Sequence, residues 1–113
     1  MSAAPVVPSS MQAVCLTEPG GPEVLHMETL QVPQPGRGEV LVRVMAAGVN
    51  RPDLMQRKGL YPPPPGACPR LGLEVAGEVV ACGLPQEGTP MPAPGTRVCA
   101  LTNGGGYAQY CLV

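Results

Sequence analysis

The chain has 113 residues and a mass of 11.6 kDa, enough for one domain of ordinary size and too little for two full lobes with a ligand cleft between them. Sixteen Pro and 15 Gly punctuate more than a quarter of it, yet 44% hydrophobic residues argue for a packed core. Seven basic residues against eight acidic leave a net charge of −1, so no basic face is available for nucleic acid, and no apolar run reaches the roughly 20 residues of a membrane span.

The first ten residues, MSAAPVVPSS, lack a basic region, an apolar stretch and any Arg, and read as a short flexible leader of a cytoplasmic protein. Strands are expected over Met11 to Leu16 and Val24 to Val32, separated by the turn cluster Pro19 to Pro22. From Glu39 the run EVLVRVMA alternates, with Val40, Val42 and Val44 on one face and Leu41, Arg43 and Met45 on the other, the period of a half-buried strand. Residues Asn50 to Gly59 read as a short helix, because Asn50 is an N-cap residue, Pro52 lies in the first turn and Gly59 suits a C-terminal cap. The prolines of Tyr61 to Arg70 remove donors and fix φ, so this stretch should run extended over the surface. A second alternating run, Leu73 to Cys82, predicts a strand with Leu73, Val75 and Val79 opposite Glu74, Ala76 and Glu78. A loop over Leu84 to Gly95 and strands over Arg97 to Leu101 and Tyr107 to Val113 complete the order. Gly36 to Gly38 and Gly104 to Gly106 are expected as hairpin turns. Many short strands with Gly/Pro turns indicate a mainly β fold, a small barrel or sandwich.

Chemistry is sparsely supplied. His26 is the sole histidine and has no neighbouring Cys or His, so neither a zinc site nor a triad base is legible. Five cysteines with no CxxC pair read as reduced, mostly buried thiols. No glycine cluster has the spacing of a phosphate-binding loop. The N-x-x-D spacing of Asn50 and Asp53 matches a capping box, Tyr61 beside four prolines is either a binding platform or a turn aromatic, and Glu74 with Glu78 form a solvated strand face.

Longer strings say more. GVNRPDLMQRKGLYPPPPG (Gly48 to Gly66), LGLEVAGEVV (Leu71 to Val80) and ALTNGGGYAQY (Ala100 to Tyr110), with GGPEVL (Gly20 to Leu25) and GEVLVRV (Gly38 to Val44), resemble the amino-terminal lobe of zinc-free quinone oxidoreductases of the medium-chain dehydrogenase/reductase superfamily. The resemblance spans about Met11 to Val113. It implies a GroES-like, partly open β-barrel with one or two short helices. It also implies an NADPH-dependent reductase of quinones or related enones, whose Rossmann nucleotide-binding lobe this chain lacks, so that the NADPH site is incomplete. Asn50 and Tyr61 would serve both the substrate and the cofactor, and Asp53 would hold the loop that presents Asn50. Zinc-dependent relatives carry Cys where this chain has Asn50 and His where it has Leu73, so no metal is implied. The partners expected are a quinone or enone and either a second copy or a full-length reductase subunit, without nucleic acid or membrane. The competing expectation is a non-catalytic binding module that pairs with such a reductase or another protein.

Overall fold

A computed structural model describes residues 6–113; the expected leader falls partly on residues 1–5, outside the described residues. Among the described residues six strands and one α-helix form: β1 (Ser10–Leu16), β2 (Leu25–Gln31), β3 (Val40–Ala47), α1 (Arg51–Arg57), β4 (Glu74–Cys82), β5 (Arg97–Leu101) and β6 (Tyr110–Leu112). β1 and β2 pair antiparallel, and the remaining strands form an antiparallel sheet in the order β5-β4-β3-β6. Residues 107–109 join the two sheets. The N–H of Val14 donates to the Tyr107 carbonyl at 2.8 Å and that of Gln109 to the Gln12 carbonyl at 3.1 Å, while Val44 donates to the Gln109 carbonyl at 2.8 Å. The backbone ladder therefore continues from β2 round to β5 as a curved, partly open barrel.

The alternation expected for β4 is present, with Val75, Gly77 and Val79 buried in turn. β3 departs from its expected pattern: Leu41, assigned to the polar face with Arg43, is 2% exposed. The register between β3 and β4 shifts at Leu41/Val42, a bulge that twists the strand at that point. Leu41 then joins Met11, Ala13, Val32 and Val80 in one core cluster, while Val40, Val42 and Val79 form another. Curvature makes both faces of the β3–β4 pair interior here. At Gly77 the strands approach so closely that a Cβ would run into the Arg43 carbonyl and the Val42 side chain.

Other boundaries shift for local reasons. Residues Pro22–Val24 wind into a 3₁₀ turn, so β2 begins at Leu25. Of the strand expected over Tyr107 to Val113 only β6 is regular, because Tyr107 to Gln109 turn aside to bond with β1. Neither glycine cluster makes a hairpin. β2 and β3 belong to different sheets, and β5 and β6 lie at opposite edges of one, so the Gly36 to Gly38 and Gly104 to Gly106 turns are crossovers. Gly104 nevertheless requires glycine, with φ of 102° and the Cys68 carbonyl where a Cβ would sit.

Candidate functional site

The helix that carries Asn50 forms as its caps dictate. Asn50 is the N-cap in extended conformation, Pro52 sits in the first turn, and Asn50 and Asp53 make a capping-box pair. Its well-defined member is the Asp53 carboxylate, whose Oδ2 accepts the Asn50 N–H at 3.0 Å. The Asp53 N–H donates to the Asn50 carbonyl at 3.0 Å. The Asn50 side chain reaches outward, and its Nδ2 donates to Glu74 Oε1 at 3.2 Å. One amide hydrogen and the exposed edge of Asn50 remain free to meet a ligand.

Glu74 therefore has a job that the reading of a solvated strand face did not give it. Glu78, on the same face, pairs with Arg43 at 3.3 Å. Sequence reasoning also missed the partner of Asp53. Tyr107, 54 residues away, donates its hydroxyl to Asp53 Oδ2 at 2.6 Å and lies 3.5 Å from the Gly48 carbonyl. Burial, reinforced by the bond to Asp53, holds the Tyr107 hydroxyl above the usual tyrosine range. A signal existed in the residue type, since a tyrosine next to buried glycines needs a partner for its hydroxyl, but nothing local named Asp53.

Tyr61 follows the helix and is half exposed, at 49%. It lines a groove of about 310 Å³ with Gln56, Pro63, Pro64, Leu73 and Thr102. Asn50 does not line this groove. The two are brought to either side of one step of chain: Leu73 faces the groove, and the next residue, Glu74, holds the Asn50 amide. Gln56 closes the groove floor, its Nε2 donating to the Pro69 carbonyl at 3.0 Å. A larger hollow of about 550 Å³ shares the Leu101 to Gly104 strip and includes Arg70, Tyr110 and Cys111.

Other candidates gather no chemistry. His26 lies on β2, its Nε2 3.3 Å from Glu28. Among the described residues no three His, Cys, Asp or Glu side chains converge as a metal site would need. All five cysteines are free, and burial pushes the Cys15 and Cys111 thiols up, away from the thiolate a nucleophile needs.

Comparison with known proteins places this geometry. The pattern of the Alcohol dehydrogenase GroES-like domain matches residues 36–113, well over half the chain. The chain belongs to that family. Its lobe is similar to the quinone oxidoreductase of Lama guanicoe, 40% identical over 104 residues, a match covering 90% of this chain and 31% of the relative. Among solved structures it is similar to a mycobacterial quinone oxidoreductase, with 38% identity and a TM-score of 0.79 over 91% of this chain and 31% of that one. A mycobacterial protein solved in complex with NADPH is also 38% identical, with a TM-score of 0.75 over 91% of this chain and 30% of that one. The chain spans about a third of the length of the curated relatives it matches. It is thus a GroES-like domain homologous to quinone oxidoreductases, and both the recognition by long motifs and the mainly β barrel agree with these matches.

Proposed function

We propose that this domain is the acceptor-side half of an NADPH-dependent quinone oxidoreductase, reducing quinones or related enones by hydride transfer. The observation that carries the reading is the outward-facing side-chain amide of Asn50, bonded to Glu74, the residue that follows Leu73 of the groove lined by Tyr61, with the Asn50 backbone held by Asp53. At about 310 Å³ the groove is at the small end of ligand sites, so the residues present fit the nicotinamide end of NADPH and a small acceptor, and not the whole dinucleotide. NADPH, when bound, supplies the hydride. Asn50 donates its free amide hydrogen to the carbonyl oxygen on which negative charge develops. Tyr61 walls the pocket with its ring and offers its hydroxyl to the same oxygen. Pro63, Pro64 and Leu73 supply the apolar lining beside the Tyr61 ring. No metal enters this scheme, because the positions of Asn50 and Leu73 carry neither a thiolate nor an imidazole. Five free thiols are in keeping with a cytoplasmic protein.

The test is kinetic. In this chain joined to the nucleotide-binding lobe of the mycobacterial quinone oxidoreductase, Asn50→Ala should lower quinone turnover by about tenfold or more. Loss of the side-chain bond to Glu74 should cost no more than about 1 kcal/mol of stability. Equal turnover after correction for the folded fraction would refute the role.

A second reading is favoured by the exposed end of β5, a free edge where Leu101 is 78% exposed. In it the domain binds a reductase subunit without catalysing, and concentration-dependent co-sedimentation with a full-length reductase, at unchanged turnover of the Asn50→Ala chimera, would establish it.

A further inference from the structure

The hydroxyl of Tyr107 and the backbone of Asn50 meet on one atom. Asp53 Oδ2 accepts the tyrosine hydroxyl at 2.6 Å and the Asn50 N–H at 3.0 Å. Asp53 is 2% exposed, and its other oxygen, Oδ1, is buried with no donor among the described residues. The two bonds at Oδ2 are therefore what compensates the burial of this carboxylate and fixes its rotation. Tyr107 is itself anchored at both ends of its peptide: its carbonyl accepts the Val14 N–H at 2.8 Å, and its N–H donates to the Leu71 carbonyl at 3.3 Å. The hydroxyl also lies 3.5 Å from the Gly48 carbonyl, two residues before Asn50. A point fixed in the barrel wall thus touches the Gly48 to Asn50 turn and, through Asp53, the N–H at the turn's end.

We infer that Tyr107 is a positioning residue for Asn50, setting through Asp53 the place from which the Asn50 amide meets the quinone or enone oxygen. The inference rests on the function proposed above and adds to it a residue from the far end of the chain. Without the hydroxyl, the Asp53 carboxylate loses one of its two anchors and the Asn50 peptide can tilt. The bond of the Asn50 side-chain amide to Glu74, at 3.2 Å and to an exposed side chain, does not fix the Asn50 backbone in its place. Misplacing a catalytic group by about 1 Å can cost up to about a hundredfold in rate. The raised ionisation range of Tyr107 keeps it a donor throughout neutral and mildly alkaline pH.

The experiment is a double-mutant cycle in the chimera described above, with NADPH and duroquinone, whose ring methyls block thiol addition. Tyr107→Phe should lower kcat about fivefold while leaving the quinone KM within about twofold, the signature of misorientation rather than lost binding. In the Asn50→Ala background the same substitution should leave kcat unchanged, because there is no amide to position. An equal fractional loss in both backgrounds, or no loss in the first, would overturn the inference while leaving the proposed function standing, provided Asn50→Ala itself lowers kcat. Unchanged kcat in Asn50→Ala would remove both. A measurement on the unmodified 113-residue chain does not depend on variants folding. The Tyr107 hydroxyl proton should give a slowly exchanging NMR signal with a cross-relaxation peak to the Asn50 N–H, and a hydroxyl exchanging as fast as that of a free tyrosine would overturn the inference.

Discussion

Replacing Asp53 by Ala removes the acceptor for two donors at once, the Asn50 N–H at 3.0 Å and the Tyr107 hydroxyl at 2.6 Å. A hydrogen bond to a charged acceptor contributes about 1.5–3 kcal/mol, so the pair contributes about 3–6 kcal/mol. Removing a buried carboxylate with one unpaired oxygen returns part of that, which leaves a net loss of about 3–4 kcal/mol. That is a large share of the roughly 5–15 kcal/mol by which a domain is stable. In urea, with a slope of about 1–3 kcal/mol per molar for a protein of this size, the unfolding midpoint should fall by about 2 M. Asp53→Asn keeps the volume and one carbonyl oxygen and should lose about half as much. Glu87→Ala, on the exposed 84–95 loop, serves as control and should stay within about 0.5 kcal/mol of the parent. An Asp53→Ala loss no larger than that of the control would refute the reasoning that these two bonds hold the turn.

Three further outcomes follow from the same geometry. Gly77→Ala forces a methyl against the Arg43 carbonyl and Val42, and should destabilise by about 1–3 kcal/mol, read by thermal or urea unfolding. Tyr107 ionises less readily folded than unfolded, so its contribution is complete below the ordinary tyrosine pKa of 10.0 and declines as pH rises through that value toward the folded one. The stability of the parent should thus fall above pH 10.0 by up to about 1.4 kcal/mol per pH unit, and Tyr107→Phe should flatten that limb in urea titrations at alkaline pH. The Arg43 to Glu78 pair is half exposed at 3.3 Å, so Arg43→Ala should cost no more than about 1 kcal/mol, an amount that 1 M salt should erase in the parent.

Much of this fold was legible because its signals are local. Period-two alternation located β4, and turn residues bounded β5 at its observed limits, since both follow from which side chains face a core. The Asn50 to Gly59 helix was legible from its capping residues, and α1 occupies Arg51–Arg57 within it. What pattern could not reveal was closure. The bulge that turns Leu41 inward, and the diversion of Tyr107 to Gln109 onto β1, depend on strands distant in sequence. Side chains too are paired between segments that are not neighbours in sequence. Asn50 and Asp53 were identifiable as a pair from spacing alone, but Glu74 and Tyr107 complete their surroundings only after the barrel forms. The likeness to quinone oxidoreductases supplied roles for Asn50 and Tyr61, and the geometry adds what orients the first of them.

The most direct test of the central claim is an NMR titration of the 113-residue chain with duroquinone, following the Asn50 side-chain amide and the resonances of Tyr61 and Leu73. The account predicts saturable shifts at these three residues, with the barrel otherwise unperturbed. Saturable shifts centred instead on the open face of β3 to β5, at Met45 and Cys99, with Asn50 and Tyr61 unmoved, would contradict it.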